Sequence, residues 1–370
     1  MTRSRLRRQV NNCNRILNKS KSQYYDNIIS ENSSIPKKLW KELNNVLHRN
    51  GDTVLPDDKD EKSLADKFSS FFCDKITRIR QSFSNTIPAD PVSPDSQPLP
   101  FCKFSVVSEE TVRKIIIASP TKSCVLDPWP TFLVKDCIDI LLPCVTRLVN
   151  FSLSEGCFPA RFKNAVVTPL LKKASLPKND FKNYRPVSGL CFISKVVERI
   201  VASQVKQHMD ASNLGNSFHS AYKSGHSTET ALLCIKNDVH ISLSKGMPTA
   251  LVLLDLSAAF DTIDHNILLQ CLTSWFGFAD SALQWFSSYL TDRFQSVKVG
   301  DILSDSSKLQ YGVPQGSVLG PVLFSLYTTP LSKIISAFYG IKFHFYADDT
   351  QVYFHLSSNS TPSAFGQLQC

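Results

Sequence analysis

The sequence predicts a mixed fold of the α+β class, and three observations carry that prediction. Ile193, Val196, Val197, Ile200, Val201, Val205 and Met209 fall on one face of a strong amphipathic helix. Residues 250–254 form a short unbroken apolar run, as expected of a strand buried on both faces, and the run ends in Asp255. In IKFHFYADDTQVYFHL (341–356), two alternating aromatic and β-branched runs flank Ala347-Asp348-Asp349, the pattern of an antiparallel hairpin with paired carboxylates at its tip.

The chain has 370 residues, enough for two or three structural units at roughly 100–200 residues each. Its hydrophobic content of 42% and charged content of 20% are those of a globular protein. No stretch reaches the roughly 18–20 apolar residues of a membrane span, and the charged start lacks the apolar core of a secretory signal. Of the net charge of +9, residues 1–50 contribute 11 Lys/Arg against 3 Asp/Glu. That arm is either a phosphate contact or a solvated basic helix. Eleven scattered cysteines, without a Cys-x-x-Cys pair, argue against a disulfide scaffold and a zinc site, and fit reduced thiols in the nucleus or cytoplasm.

Along the chain, residues 1–85 read as basic and helical. Trp40, Leu43, Val46 and Leu47 make one apolar stripe, and Leu64, Phe68, Phe71 and Phe72 another. Five prolines in TIPADPVSPDSQPLP (86–100) mark a linker, placed at 86–103. Ser108 can cap a helix whose dipole Glu109 and Glu110 complement. A longer helical region covers about 131–155, interrupted by Pro143 and stopped by Gly156. NAVVTPLLKK (164–173) reads as a strand. Ser227 can cap a helix that ends at Gly246.

The chemistry concentrates in three segments. In TALVLLDLSAAFDTIDH (249–265), Asp255 either reaches the rim of a sheet or caps a helix through Ala258 and Ala259. Adjacent carboxylates at Asp348 and Asp349 repel each other, which a bound cation would relieve. In QYGVPQGSVLGPVLFSLY (310–327), Pro314-Gln315-Gly316 forms a turn before an apolar helix. There Gly316 permits close approach to the backbone, and Gln315 can donate and accept hydrogen bonds.

LVLLDLSAAFDTIDH, YGVPQGSVLGPVLF and FYADD, in that order, resemble motifs A, B and C of reverse transcriptases. FKNYRPVSGLCFISKVVERIV and HSAYKSGHSTETALL resemble the fingers motifs upstream of them, and DPWPTFLVK with FKNAVVTPLLKK resembles the N-terminal extension of LINE-type (non-LTR) retrotransposon enzymes. The resemblance covers about residues 104–356. It implies a right-hand polymerase with an N-terminal extension at 104–180, fingers at 181–248 and a ferredoxin-like palm at 249–356, then a polar tail at 357–370. It also implies an RNA-directed DNA polymerase that adds dNTPs to a DNA primer on an RNA template, working in a ribonucleoprotein of the nucleus or cytoplasm.

Carried over residue by residue, Asp255, Asp348 and Asp349 would hold two Mg²⁺ ions, with Mn²⁺ as a substitute. Phe260 would be the steric gate that excludes a ribose 2′-OH, and is equally a core aromatic. Gln315, Gly316 and Arg185 would contact the nucleotide. Lys223 is a weaker candidate of the same kind, the other reading being a solvated loop lysine. Asp261 and Asp264 are expected to serve local helix structure, and His226 and His265 to be structural. The family's thumb, and the endonuclease of many LINE-type elements, have no counterpart in these motifs. The expectation is therefore a middle portion of a longer polyprotein whose palm sheet has an exposed apolar edge. The competing reading is a catalytically inactive nucleic-acid-binding fragment.

Overall fold

A computed structural model describes residues 55–58, 60–83, 92–94, 97–215, 218–223 and 225–355, with short helical stretches between 15 and 31. The basic arm for the most part, the Trp40 stripe, most of the proline-rich stretch and the polar tail lie outside the described residues. No helix among those described is long and apolar enough to cross a membrane.

The fold mixes helices with two separate sheets, in keeping with the α+β class. The first described helix, α1 (Glu61–Ser82), is capped by Asp60, whose carboxylate accepts from the Lys62 and Ser63 amides. Helix α2 (Glu109–Ala118) begins on Ser108 as expected. The region 131–155 splits into α3 (Thr131–Asp136) and α4 (Ile138–Ser154), and the break falls at Cys137 rather than Pro143. Pro143 stays inside α4 because the carbonyl it leaves without a donor belongs to exposed Asp139, where water can serve. Gly156 does end the helix, at φ 61°.

The larger sheet has the order β2-β1-β4-β5. Strand β1 (Asn164–Leu171) pairs antiparallel with β2 (Tyr184–Gly189) and parallel with β4 (Arg293–Val299). The same edge of β4 takes β5 (Ile302–Leu303) and β6 (Ser307–Leu309). Helix α1 covers this sheet. Leu64, Ala65, Phe68 and Phe72 pack with Val167, Tyr184, Val297 and Val299 in one buried cluster. The stripe read from the sequence thus finds its partner, on strands that follow the proline-rich stretch.

The main core lies among the helices. Helix α5 (Phe192–Ala211) buries Val196, Val197, Ile200, Val201 and Val205. Helix α6 (Thr228–Ser244) starts with a capping box formed by Ser227 and Thr230 and stops before Gly246. Helices α7 (His265–Phe276) and α8 (Asp280–Leu290) add Leu268, Leu272, Trp285 and Phe286 to the same core. Helix α9 (Leu319–Ser336) closes it with Leu323 and Phe324.

The smaller sheet has the order β3-β8-β7, from β3 (Thr249–Asp255), β7 (Ile341–Tyr346) and β8 (Asp349–His355). On one face Phe343, Phe345 and Val352 form a cluster against Leu331 and Ile335 of α9. On the other face Tyr353 donates from its hydroxyl to Asp238 of α6 at 2.7 Å. Strand β3 corrects the sequence reading. It is not buried on both faces but is an edge strand, with Leu253 69% and Leu254 50% exposed. Its apolar run is central in sequence character but peripheral in the sheet, because β8 pairs with it on one side alone among the described residues. The exposed apolar edge expected of this sheet is present.

Candidate active site

The antiparallel register of β3 and β8 runs from Thr249 opposite His355 to Asp255 opposite Asp349. Residues directly opposite in such a pair have Cα atoms about 4.5–5.5 Å apart. The β7–β8 hairpin closes with Tyr346 opposite Asp349, so Ala347 and Asp348 alone form its loop. Ala347 takes φ 55°, a left-handed conformation usually given to glycine and costing about 1–2 kcal/mol in a residue with a Cβ. The outcome is that Asp255, Asp348 and Asp349 meet at one end of one sheet. The alternative role of Asp255 fails: residues 257–262 form turns, with Ala258 at φ 55°, and there is no helix there to cap.

The three carboxylates crowd one another. Partial burial and the charges of Asp348 and Asp255 push the Asp349 carboxyl above its ordinary range. Among the described residues, none of the three side chains has an ion pair or a side-chain hydrogen bond. Nor does any group of three or more His, Cys, Asp or Glu stand close enough together to enclose a metal ion.

Beside Asp255 opens a cleft of 970 Å³, lined also by Leu256, Ser257, Tyr311, Tyr327 and Arg80 of α1. Arg80 pairs with Asp264 and lies over the Tyr311 ring, 4.1 Å from its centroid. Asp264 caps α7, accepting from the Asn266 and Ile267 amides, which is the local helix role expected of it. Asp261 departs from that expectation: it sits in the turn after Ala258, and burial pushes its carboxyl up to about 6. His265 is structural, bonding through Nε2 to the Gly312 carbonyl at 2.8 Å.

Phe260 is half-buried, and its ring packs on Phe324 of α9 with centroids 5.1 Å apart. Gln315 and Gly316 lie in the turn before α9. The Ser188 amide of β2 donates to the Gln315 carbonyl at 2.8 Å, and a Cβ on Gly316 would stand 2.8 Å from the Ser188 carbonyl oxygen. The close approach that Gly316 permits is therefore to β2. Gln315, Ser188, Asp261 and Lys75 of α1 line one small cavity.

Arg185 is not brought to that cavity. Strand alternation places it on the face of β2 opposite to Tyr184, Pro186 and Ser188, exposed and across from Leu170. Lys223 lies elsewhere again, on the loop whose residues 218–220 run along β7; its neighbour Tyr222 feels the charge of Asp348. Burial lowers the Lys223 ammonium below its usual value.

Sequence reasoning missed two residues near the site. Lys172, just past β1, is depressed by burial and by the charges of Lys75 and Arg185, and is supported by Asp180 and Asp255. Its Nζ donates to the Lys182 carbonyl at 2.7 Å; the signal was the basic pair ending NAVVTPLLKK. Glu198 is wholly buried on α5, a charged residue interrupting an apolar helix face.

Residues 176–364 match the family described as reverse transcriptase (RNA-dependent DNA polymerase). The chain belongs to the reverse transcriptase family. Its relatives are transposon proteins of the LINE type. The RNA-directed DNA polymerase from mobile element jockey of Drosophila melanogaster is 28% identical over 70% of this chain and 28% of that protein. The probable RNA-directed DNA polymerase from transposon BS, from the same organism, is 29% identical over 50% of this chain and 20% of that protein. A solved apo telomerase from Candida tropicalis, truncated from its C-terminal domain, is similar at TM-score 0.42 and 14% identity, covering 57% of this chain and 47% of that one. The matches to the two transposon polymerases span less than a third of those relatives' length.

Proposed function

We propose that this chain holds the nucleotidyl-transfer centre of an RNA-directed DNA polymerase. The supporting observation is the register that sets Asp255 across from Asp349 and next to the Asp348 tip. In this reading residues 104–180 are the N-terminal extension, 181–248 the fingers and 249–356 the palm. The ligands are an RNA template, a DNA primer and a dNTP. The setting is a ribonucleoprotein of the nucleus or cytoplasm.

Asp255, Asp348 and Asp349 would hold two Mg²⁺ ions, or Mn²⁺ in their place, and such ions activate an attacking hydroxyl and stabilise a leaving pyrophosphate. The protein supplies position and charge. The carboxylates fix the end of the sheet as the point of reaction. Phe260, braced on Phe324, would set the floor under the sugar. The Gln315–Gly316 turn would meet the base pair. Arg185, Lys223 and Lys172 would meet phosphate oxygens.

The test is primer extension on an RNA template with Mg²⁺ or Mn²⁺, comparing dNTPs with rNTPs. Extension is expected with dNTPs, and Asp255→Asn should cut it by about 10³-fold, on the scale of losing one preorganised electrostatic group. Activity surviving in that variant would contradict the assignment. A second reading, nucleic-acid binding without catalysis, draws on the absence of a tightly gathered acidic group among the described residues. RNA binding by the wild type without any extension would select it.

A further inference from the structure

The start of helix α9 is capped twice. The Ser317 hydroxyl accepts the Gly320 amide at 3.0 Å. The Val318 side chain can accept nothing, and the acceptor for the Val318 and Leu319 amides comes from another helix. Glu198 of α5, 0% exposed, takes the Val318 amide at 2.6 Å and the Leu319 amide at 3.1 Å on its Oε2. Its Oε1 takes the Ser194 hydroxyl at 3.2 Å. An anion at a helix N-terminus gains from the macrodipole as well as from the amides. Burial raises the Glu198 carboxyl, while those amides and the charge of Arg293 pull it back.

The charge of Arg293 acts on Glu198. Arg293 is 1% exposed and donates from Nη1 to the Tyr289 carbonyl at 2.9 Å. Its Nε and Nη2 are buried without a hydrogen-bond partner, and its guanidinium lies over the Tyr289 ring, 4.7 Å from the centroid. A buried carboxylate with a guanidinium nearby is costly to build and stays where its geometry puts it.

Several contacts hold the turn that carries Gln315 and Gly316. The Gly312 amide donates to the Ile263 carbonyl at 2.8 Å, the Val313 amide to the Phe260 carbonyl at 2.9 Å, and the Ser188 amide to the Gln315 carbonyl at 2.8 Å. Those contacts are made by backbone groups. On the helix side of the turn, the Glu198 side chain holds the Val318 and Leu319 amides. We infer that Glu198 is a positioning residue for the incoming nucleotide: acting through the Val318 and Leu319 amides, it fixes how the Gln315–Gly316 turn is presented. The inference rests on the nucleotide-site reading of that turn given above.

The experiment uses the full-length protein with a DNA primer on an RNA template and reads single-nucleotide incorporation. Glu198→Asp keeps the charge near Arg293 but shortens the reach by one methylene. Glu198→Gln keeps the reach and an acceptor oxygen. Ser194→Ala removes one hydrogen bond to Glu198 alone. The expected result is a KM for dNTP raised about tenfold in Glu198→Asp, about threefold in Ser194→Ala, and within about twofold in Glu198→Gln, with kcat and primer–template affinity little changed. An unchanged KM in the folded variants overturns the inference, and so does a loss shared equally by kcat and primer–template affinity. Should Glu198→Asp fail to fold, Ser194→Ala decides by the same criterion. Extension abolished by Asp255→Asn yet indifferent to Glu198→Asp and Ser194→Ala removes this inference alone. Extension that survives Asp255→Asn removes the reading beneath it.

Discussion

The two sheets of this protein use apolar sequence in opposite ways. In the larger one, β1 and β4 bury Val167, Val297 and Val299, and α1 lays Phe68 and Phe72 over them. In the smaller one, β8 is buried at its centre through Val352, Tyr353 and Phe354, yet its neighbour β3 leaves Leu251, Leu253 and Leu254 exposed. The carboxylates sit on that second sheet, at the end of its least covered strand. Under the proposed function, the open strand end is where a nucleic-acid duplex would enter. Leucine in a strand reports burial only when a covering element is present.

The largest expected effect separates the sheets by stability. Phe68→Ala removes a fully buried ring from the α1 cluster and should cost about 3–5 kcal/mol in urea unfolding. Leu253→Ser, on the exposed edge, should stay within about 0.5 kcal/mol. Equal losses would mean that β3 is covered in solution. Next, Phe260→Val should relax dNTP over rNTP selection by about tenfold, measured as the ratio of kcat/KM values. Unchanged selectivity would leave the Phe260–Phe324 contact as core packing only.

A smaller effect concerns Asp261. Burial raises its carboxyl to about 6, above the ordinary value of 3.8. A raised folded-state pKa means that its contribution to stability is fully present below about pH 4 and is lost as pH rises through about 6. Asp261→Asn should therefore match the wild type near pH 4 and exceed it by about 1–2 kcal/mol at pH 8, less than full linkage because the side chain borders a cavity. Curves that stay parallel across that range would show that Asp261 already has a charge partner.

Much of this arrangement was legible because its signals are local. Caps at Ser108 and Ser227, the stop at Gly156, the face of α5 and the hairpin around Asp348 each depend on residues a few positions apart. The convergence of Asp255 with that hairpin was legible only through the order of motifs, since no spacing rule links β3 to β8. Residues 266–309 drew no reading. Signals were present there: α7 buries Leu268, Cys271, Leu272 and Phe276 and α8 buries Ala282, Trp285, Phe286, Tyr289 and Leu290, both at helical spacing, and Gly300-Asp301 turns β4 into β5. Only the parallel pairing of β4 with β1, far upstream, leaves no local mark in the sequence. Glu198 and Arg293 were missed because a charge on an apolar face reads as a break in the pattern until its buried partners are seen. Arg185 shows the reverse: its motif is clear, but strand alternation turns it away from the cavity that Gln315 lines.

In the proposed mechanism, the ends of β3 and of the β7–β8 hairpin form one divalent-cation site. Iron-directed backbone cleavage tests it without requiring turnover: Fe²⁺ replaces Mg²⁺, and ascorbate and peroxide generate radicals that cut only the chain near the bound ion. Cleavage is expected at both residue 255 and residues 347–349, suppressed together by excess Mg²⁺ and lost together in Asp255→Asn. Cuts confined to one of the two segments, or surviving at the hairpin when Asp255 is changed, would contradict a shared site.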